Sequence, residues 1–287
     1  MKRERRKADI GFWPEIAPGV YCLETGKGIN RSNVYFVRSG SSWVLIDAAS
    51  RNCAQLIRKN AESLFGANTR PSAILLTHDH PDHAGSALEL ARMWDCPVYL
   101  HRDELPLAVI RDLSTVERYA NPLDRWVILP LLRLVPRRKV ESMLSRDSLK
   151  GVAQAFAPGS AIPGLPDWEC IQTPGHTPGH IAIFRTTDRV LITGDAVVTA
   201  DLNSLPGAVL WGLRVNKQKV SGPPWYSTWN RQAAKESVAV LAGLEPRVLA
   251  SGHGVPMTGE EIARELRALA DSFSPPAAGN NTSRGRL

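Results

Sequence analysis

Thr77-His78-Asp79-His80-Pro81-Asp82-His83 places three imidazoles and two carboxylates within seven residues. A protein core has no use for so many titratable groups on one turn. Unpaired, they would repel one another or be costly to desolvate, and a divalent cation resolves both problems. Two further histidines stand in Thr173-Pro174-Gly175-His176-Thr177-Pro178-Gly179-His180, and one more in Ser251-Gly252-His253-Gly254. The glycines around them let the backbone turn tightly and present the ring. Six of the seven histidines lie in these motifs; His101, in Val98-Tyr99-Leu100-His101, is left over and is read as an ordinary surface residue.

Strand-like runs deliver these groups. Residues 72–77 (SAILLT) are apolar and β-branched, and residues 85–94 (GSALELARMW) have helical spacing, so the histidine run sits on a strand-to-helix turn. Residues 43–48 (WVLIDA) end in Asp47, and residues 190–196 (VLITGDA) end in Gly194-Asp195. Residues 168–172 (WECIQ) precede His176, and PRVLAS precedes His253. In α/β proteins the carboxyl ends of strands are where sites are usually built.

This order of motifs resembles the metallo-β-lactamase superfamily over roughly residues 18–258. The resemblance implies an α+β, four-layer αββα sandwich with a helical insertion after the half that carries the HxHxDH run. It implies that His78, His80 and His176 hold one metal, that Asp82, His83 and His253 hold another, and that Asp195 bridges them. Asp47 and His180 would orient those ligands from behind. No cysteine occupies a ligand position, which places the pattern nearer the glyoxalase II, lactonase and persulfide dioxygenase branches. A histidine and aspartate shell suits two divalent cations, zinc first, with iron or manganese as alternatives. Such a pair supplies a metal-bound hydroxide at neutral pH, with Asp82 as the catalytic group that orients it and takes its proton. The activity expected is hydrolysis of a small ester-like compound: a lactone, a thioester or a related carbonyl compound. The alternative is a mononuclear iron oxygenase acting on a persulfide, and the number and kind of metal would tell the two apart. No GxSxG element suggests a serine nucleophile instead.

Composition sets the outer limits. The 287 residues carry a net charge of +7, but five cations and one anion fall in Lys2–Lys7 and two more cations are Arg284 and Arg286, leaving about +1 for the body. A nearly neutral body argues against nucleic acid as a partner and for a small-molecule substrate. No apolar segment follows the basic start, and no run is long enough to span a bilayer, so a cytoplasmic protein without stable membrane insertion is expected. Cys22, Cys53, Cys96 and Cys170 lack metal or disulfide spacing and suit a reducing compartment. A homodimer is left open.

Along the chain, residues 1–15 read as a flexible basic tail, 16–273 as the catalytic domain and 274–287 as a disordered tail. Residues 104–150 interrupt the strand rhythm with proline-broken helical spacing and read as a lid, a dimer interface or a cap on the core. Within them Arg125–Lys139 (RWVILPLLRLVPRRK) mixes five cations with apolar residues and no anion. Burial is expected for such a run, contact with a membrane surface being the other reading. Residues 201–227 read as a long irregular loop bearing Trp211, Trp225 and Tyr226.

Overall fold

A computed structural model describes residues 12–156, 159, 161–213 and 218–273. Two sheets carry the fold. The first contains β1 (Phe12–Ala17), β2 (Val20–Thr25), β3 (Ser32–Ser39), β4 (Ser42–Ile46), β5 (Ala73–Leu75), β6 (Val98–His101) and β7 (Ala153–Phe156), in that spatial order. Its strands pair antiparallel from β1 to β4 and parallel from β4 to β7. The second sheet has the order β12-β11-β10-β9-β8, from β8 (Glu169–Gln172), β9 (Ile181–Arg185), β10 (Val190–Gly194), β11 (Val248–Ser251) and β12 (Met257–Thr258).

Alternation along the strands produces the layers, because successive side chains point to opposite faces. In β3 and β4, Tyr35, Val37, Val44 and Ile46 face inward and meet Ile181, Ile183, Val190 and Ile192 of the second sheet. Their neighbours Val34, Phe36, Trp43 and Leu45 face outward and pack on helices α1 (Ala54–Phe65) and α3 (Ala87–Trp94), which follow β4 and β5. On the far side Phe184, Leu191 and Leu249 pack against α9 (Arg231–Gly243) and α10 (Glu261–Ser272) through Val238, Leu241, Ile262 and Leu266. The result is the αββα sandwich. Asn230 starts α9 by accepting hydrogen bonds from the Gln232 and Ala233 amides at 3.1 Å each, and Gly66, at φ 102°, ends α1.

Between β6 and β7 lie α4 (Leu105–Val109), α5 (Leu113–Arg118), a π-helical turn Asp124–Ile128, α6 (Leu129–Leu132) and α7 (Arg137–Ser145). This is the helical insertion. Its Arg125–Lys139 run is not buried as expected: of its apolar residues only Leu129 is fully covered, while Trp126, Val127, Ile128, Leu131 and Leu134 are exposed. The helical run 122–132 changes pitch through its π-helical turn and ends before Pro136, where α7 starts afresh, so it cannot offer one continuous stripe to a core.

Three other expectations change. Strand β1 begins at Phe12, inside the stretch read as tail; residues 1–11 and 274–287 lie outside the described residues. The stretch read as a loop contains α8 (Leu205–Gly212), whose first turn is capped by the Ser204 hydroxyl accepting from the Gly207 amide at 3.1 Å. His101 is buried rather than at the surface, because β7 pairs alongside β6 and sets Phe156 against its ring. No helix among the described residues is long and apolar enough to cross a membrane. The four cysteines form no disulfide; Cys22 and Cys96 are buried, and Cys53 and Cys170 half-buried.

Candidate metal centre

All the motif residues converge at the carboxyl ends of β4, β5, β8, β10 and β11, with His176 and His180 on the turn between β8 and β9. Asp47 follows β4 with φ 60°, a backbone region unusual for a residue with a side chain, and it turns its carboxylate under the histidine run. Thr77 and His78 follow β5, and His80 precedes the short helix α2 (Pro81–Ala84) that carries Asp82 and His83. Asp195 follows β10, and His253 follows β11. Two glycines are required by close approach. A Cβ at Gly252 would stand 2.2 Å from Asp195 Oδ1, and one at Gly194 (φ 49°) would stand 2.8 Å from His180 Nε2.

Four imidazoles are oriented in the same way. His83 Nδ1 donates to Asp47 Oδ2 at 2.8 Å. His253 Nδ1 donates to the Arg31 carbonyl at 2.6 Å. The Thr77 hydroxyl is committed as a donor to Asp47, so at 3.0 Å it accepts from His78 Nδ1. The Thr228 hydroxyl donates to the Pro224 carbonyl and thus accepts from His176 Nδ1 at 3.4 Å. Each ring therefore keeps a lone pair on Nε2 when neutral, and each Nε2 faces the centre. The Nε2 atoms of His78, His83 and His176, with Asp195 Oδ1, are buried and lack any hydrogen-bond partner. Buried polar atoms without partners are costly, and so regular a set fits the donor shell of a cation.

Donor atoms fall into compact groups. Those of His78, His80 and His176 lie within 4.8 Å of one another, as do those of Asp82, His83 and His253. Asp195 stands between the two trios, its oxygens 3.4 Å from His176 Nε2, 3.5 Å from His83 Nε2 and 3.1 Å from His253 Nε2. Asp82 Oδ2 lies 3.3 Å from His253 Nε2. His180 is different: Nδ1 bonds Thr173 Oγ1 at 2.7 Å and Nε2 accepts from the Asp195 amide at 3.0 Å, so both nitrogens are occupied and the ring props the Asp195 backbone.

The electrostatics of the two trios differ. Burial, reinforced by neighbouring imidazoles, drives His78 and His176 well below the usual histidine value, which favours their neutral form. At His253 burial opposes the charge, but Asp195 and Asp82 outweigh it and push the ring up to about 10; His83 is raised in the same way. Without a cation, these two rings hold protons that balance the carboxylates.

Several contributors carried no signal in the sequence. Glu104, fully buried, accepts from the Asp79 amide at 3.0 Å and the Gly179 amide at 2.7 Å, tying the turn that bears His80 to the turn that bears His176. Arg31 lies over the Trp211 ring at 3.7 Å, pairs with Glu24 at 3.0 Å and bonds the Trp211 carbonyl, anchoring α8 beside His253. Glu104→Gln keeps the shape but turns an N–H toward one of the two amides. Metal affinity of the His78/His80/His176 trio is expected to fall about 10-fold or more in a chelator competition, while the other trio is little changed. Equal loss at both trios would show that Glu104 supports the fold generally.

Two cavities flank the cluster. One, about 520 Å³, is lined by Asp82, Asp195, His253, Tyr226, Leu123 and Leu202. The other, about 220 Å³, lies beside His80 and His176; its exposed lining is mostly apolar, with Leu107, Ile128 and Leu132 of the insertion on it beside the charged Asp79, Glu104 and Arg111. A larger cleft of about 690 Å³ near Lys219 and Phe273 contains none of the cluster residues, and size alone does not make it the reactive site.

A model of the metallo-β-lactamase superfamily matches residues 28–253. The chain belongs to that superfamily. It is a metallo-hydrolase, similar to the "Probable metallo-hydrolase YflN" of Bacillus subtilis (strain 168), with 37% identity over 274 residues that cover 93% of this chain and 95% of the relative. Among solved structures, a metallo-β-lactamase family protein from Thermus thermophilus superposes with a TM-score of 0.60 at 22% identity, covering 90% of this chain and 81% of that one, a likeness of fold. TTHA1623, solved in a di-iron-bound form, superposes with a TM-score of 0.52 at 25% identity, covering 84% and 96% of the two chains. The superfamily membership accounts for the cluster: its histidines and aspartates are a candidate site for divalent metal ions.

Proposed function

We propose that the cluster holds two divalent cations, zinc first, and that the protein hydrolyses a small ester-like compound such as a lactone or thioester. His78, His80 and His176 would hold one cation, Asp82, His83 and His253 the other, and Asp195 both. The observation that carries this reading is the set of inward, partnerless Nε2 atoms grouped around one shared carboxylate. When bound, such a pair supplies Lewis acidity at a carbonyl and hydroxide at neutral pH.

The protein's own groups divide the remaining work. Asp195 is almost fully buried, whereas the Asp82 side chain is 26% exposed and borders the larger cavity, so Asp82 is placed to orient the attacking water and relay its proton to solvent. It does so as a weak base, since burial is outweighed by His83 and His253, which hold its carboxyl below the usual carboxylate range. Tyr226 lines the same cavity. Burial, then the charges of Asp195 and Asp82, raises its phenol, which keeps it a hydrogen-bond donor at neutral pH toward a leaving oxygen. The apolar cavity beside His80 and His176 suits a short acyl or aromatic group, and so makes the 104–150 segment the choice-making wall. Unpaired cysteines suit action in the cytoplasm.

The test joins metal counting to a substrate panel. Protein stripped and titrated with zinc should take up close to two equivalents. Uptake at the Asp82/His83/His253 trio should weaken as pH falls, because His253, raised to about 10, must give up its proton to bind. The loaded protein should cleave members of a lactone and thioester panel. Saturation at one iron, with oxygen consumed on a persulfide, would establish the oxygenase instead.

A further inference from the structure

The insertion exposes a run of large apolar side chains. Trp126 and Leu134 are each 81% exposed, and Val127, Ile128 and Leu131 are also open to solvent. Single exposed apolar residues are ordinary, but five within nine positions of the chain, led by a tryptophan, point to a contact surface. Five cations, Arg125, Arg133, Arg137, Arg138 and Lys139, are interleaved with these residues, and the run contains no anion. Arg133 and Arg137 have exposed partners in Glu117 and Glu141, at 3.2 and 2.8 Å, pairs of little strength in water. Arg138 and Lys139 have no ion-pair partner among the described residues.

We propose that this face docks on an anionic lipid surface. Aromatic and aliphatic side chains that enter the headgroup boundary, ringed by Arg and Lys that meet lipid phosphates, are the combination such a surface selects. A second copy of the chain is a poorer occupant, because Glu117 and Glu141 are already engaged by Arg133 and Arg137, and a two-fold contact would set the remaining cations of the run against their own copies. The face is also continuous with the reactive region. Ile128, in the exposed run, lines the cavity beside His80, and Leu123, just before it, lines the cavity over Asp82. A second exposed apolar stretch, Leu205, Val209 and Leu210 of α8 with Leu213 just past its end, begins just beyond Leu202 on another wall of that cavity. Docking through this face would bring the mouth of the site to the lipid boundary, while no helix is required to cross it.

The test does not depend on hydrolysis. Full-length protein is sedimented with vesicles of phosphatidylglycerol and, separately, of phosphatidylcholine at about 0.1 M salt, where surface charges are still felt over about 10 Å. Binding is expected to the first and not the second, and to fade at about 1 M salt, where that range shrinks to about 3 Å. Arg138→Glu/Lys139→Glu should weaken it at least about 10-fold. Trp126→Asp/Leu134→Asp should abolish it; both positions are open to solvent, so an unchanged thermal unfolding curve is expected for this variant. Equal binding to both lipids, or to neither, overturns the proposal. So does binding that survives both double variants, which would assign it to the basic Lys2–Lys7 segment. A dimer in sedimentation velocity that becomes monomeric in Trp126→Asp/Leu134→Asp would give the face to a second copy and equally overturn it.

Discussion

Asp195→Ala is expected to empty both halves of the cluster together. Among the described residues Asp195 alone brings oxygens within 4 Å of imidazoles of both trios, at 3.1 Å from His253, 3.4 Å from His176 and 3.5 Å from His83. It lies 3% exposed among these rings, and the interaction of its charge with His253 and His83 overcomes burial to hold its pKa well below the usual carboxylate range. Alanine removes a negative charge that two cations would share, and leaves a space lined by positive and neutral nitrogens. Loss of a group that merely supports a ligand typically costs about 10- to 100-fold in affinity, so loss of a shared ligand should cost at least that at each position. Metal content after dialysis and affinity by chelator competition are the readouts, and hydrolysis should fall to background. His253→Ala is the control: it should strip the Asp82/His83/His253 trio first and spare the other. If Asp195→Ala lost one cation only, the bridging role would be wrong and Asp195 would belong to a single trio.

The legible part of this site is the part written in short local motifs, each at the end of a strand. Asp47, Asp195 and His253 could be placed because each ends a short apolar strand, and strand ends on one side of a sheet are near in space whatever their separation in sequence. The alternation of β3 and β4 also marks which residues face the second sheet, since Tyr35 and Val37 bury one way and Val34 and Phe36 the other. The ordering of the layers was carried by the resemblance rather than by periodicity, which fits several mixed folds equally well. What stayed hidden depends on single long-range contacts. Glu104 joins two turns, 25 and 75 positions away, and resembles any glutamate at a helix start until Asp79 and Gly179 are seen to share it. Thr228 meets His176 across 52 positions, and Arg31 offers His253 a carbonyl, which no side-chain pattern encodes. The burial of His101 followed from β7, a short strand whose Ala and Gln residues give little strand signal.

Asp82→Asn should separate proton handling from metal holding. The asparagine side chain keeps the shape and one oxygen facing His253, now 3.3 Å from Asp82 Oδ2, so part of the second trio survives. It loses the negative charge that, with Asp195, keeps His253 raised to about 10, and it loses the base that borders the larger cavity. A positioned general base contributes about 10²- to 10⁴-fold, so kcat should fall by that order on every substrate, while metal content falls only in part. The insertion should behave in the opposite way. Leu132 lines the 220 Å³ cavity and is not among the cluster residues, so Leu132→Phe narrows the room for an apolar group and leaves the donor set alone. KM should then rise most for bulky substrates and the ranking within a lactone and thioester panel should change, with metal content intact, because binding is altered without touching the reacting groups. Metal must be measured in every sample, since partial loss in Asp82→Asn otherwise mimics a fall in kcat. An Asp82→Asn protein with normal turnover per bound metal would remove Asp82 from proton transfer. A Leu132→Phe protein that loses metal would show that the insertion braces the cluster instead of choosing its substrate.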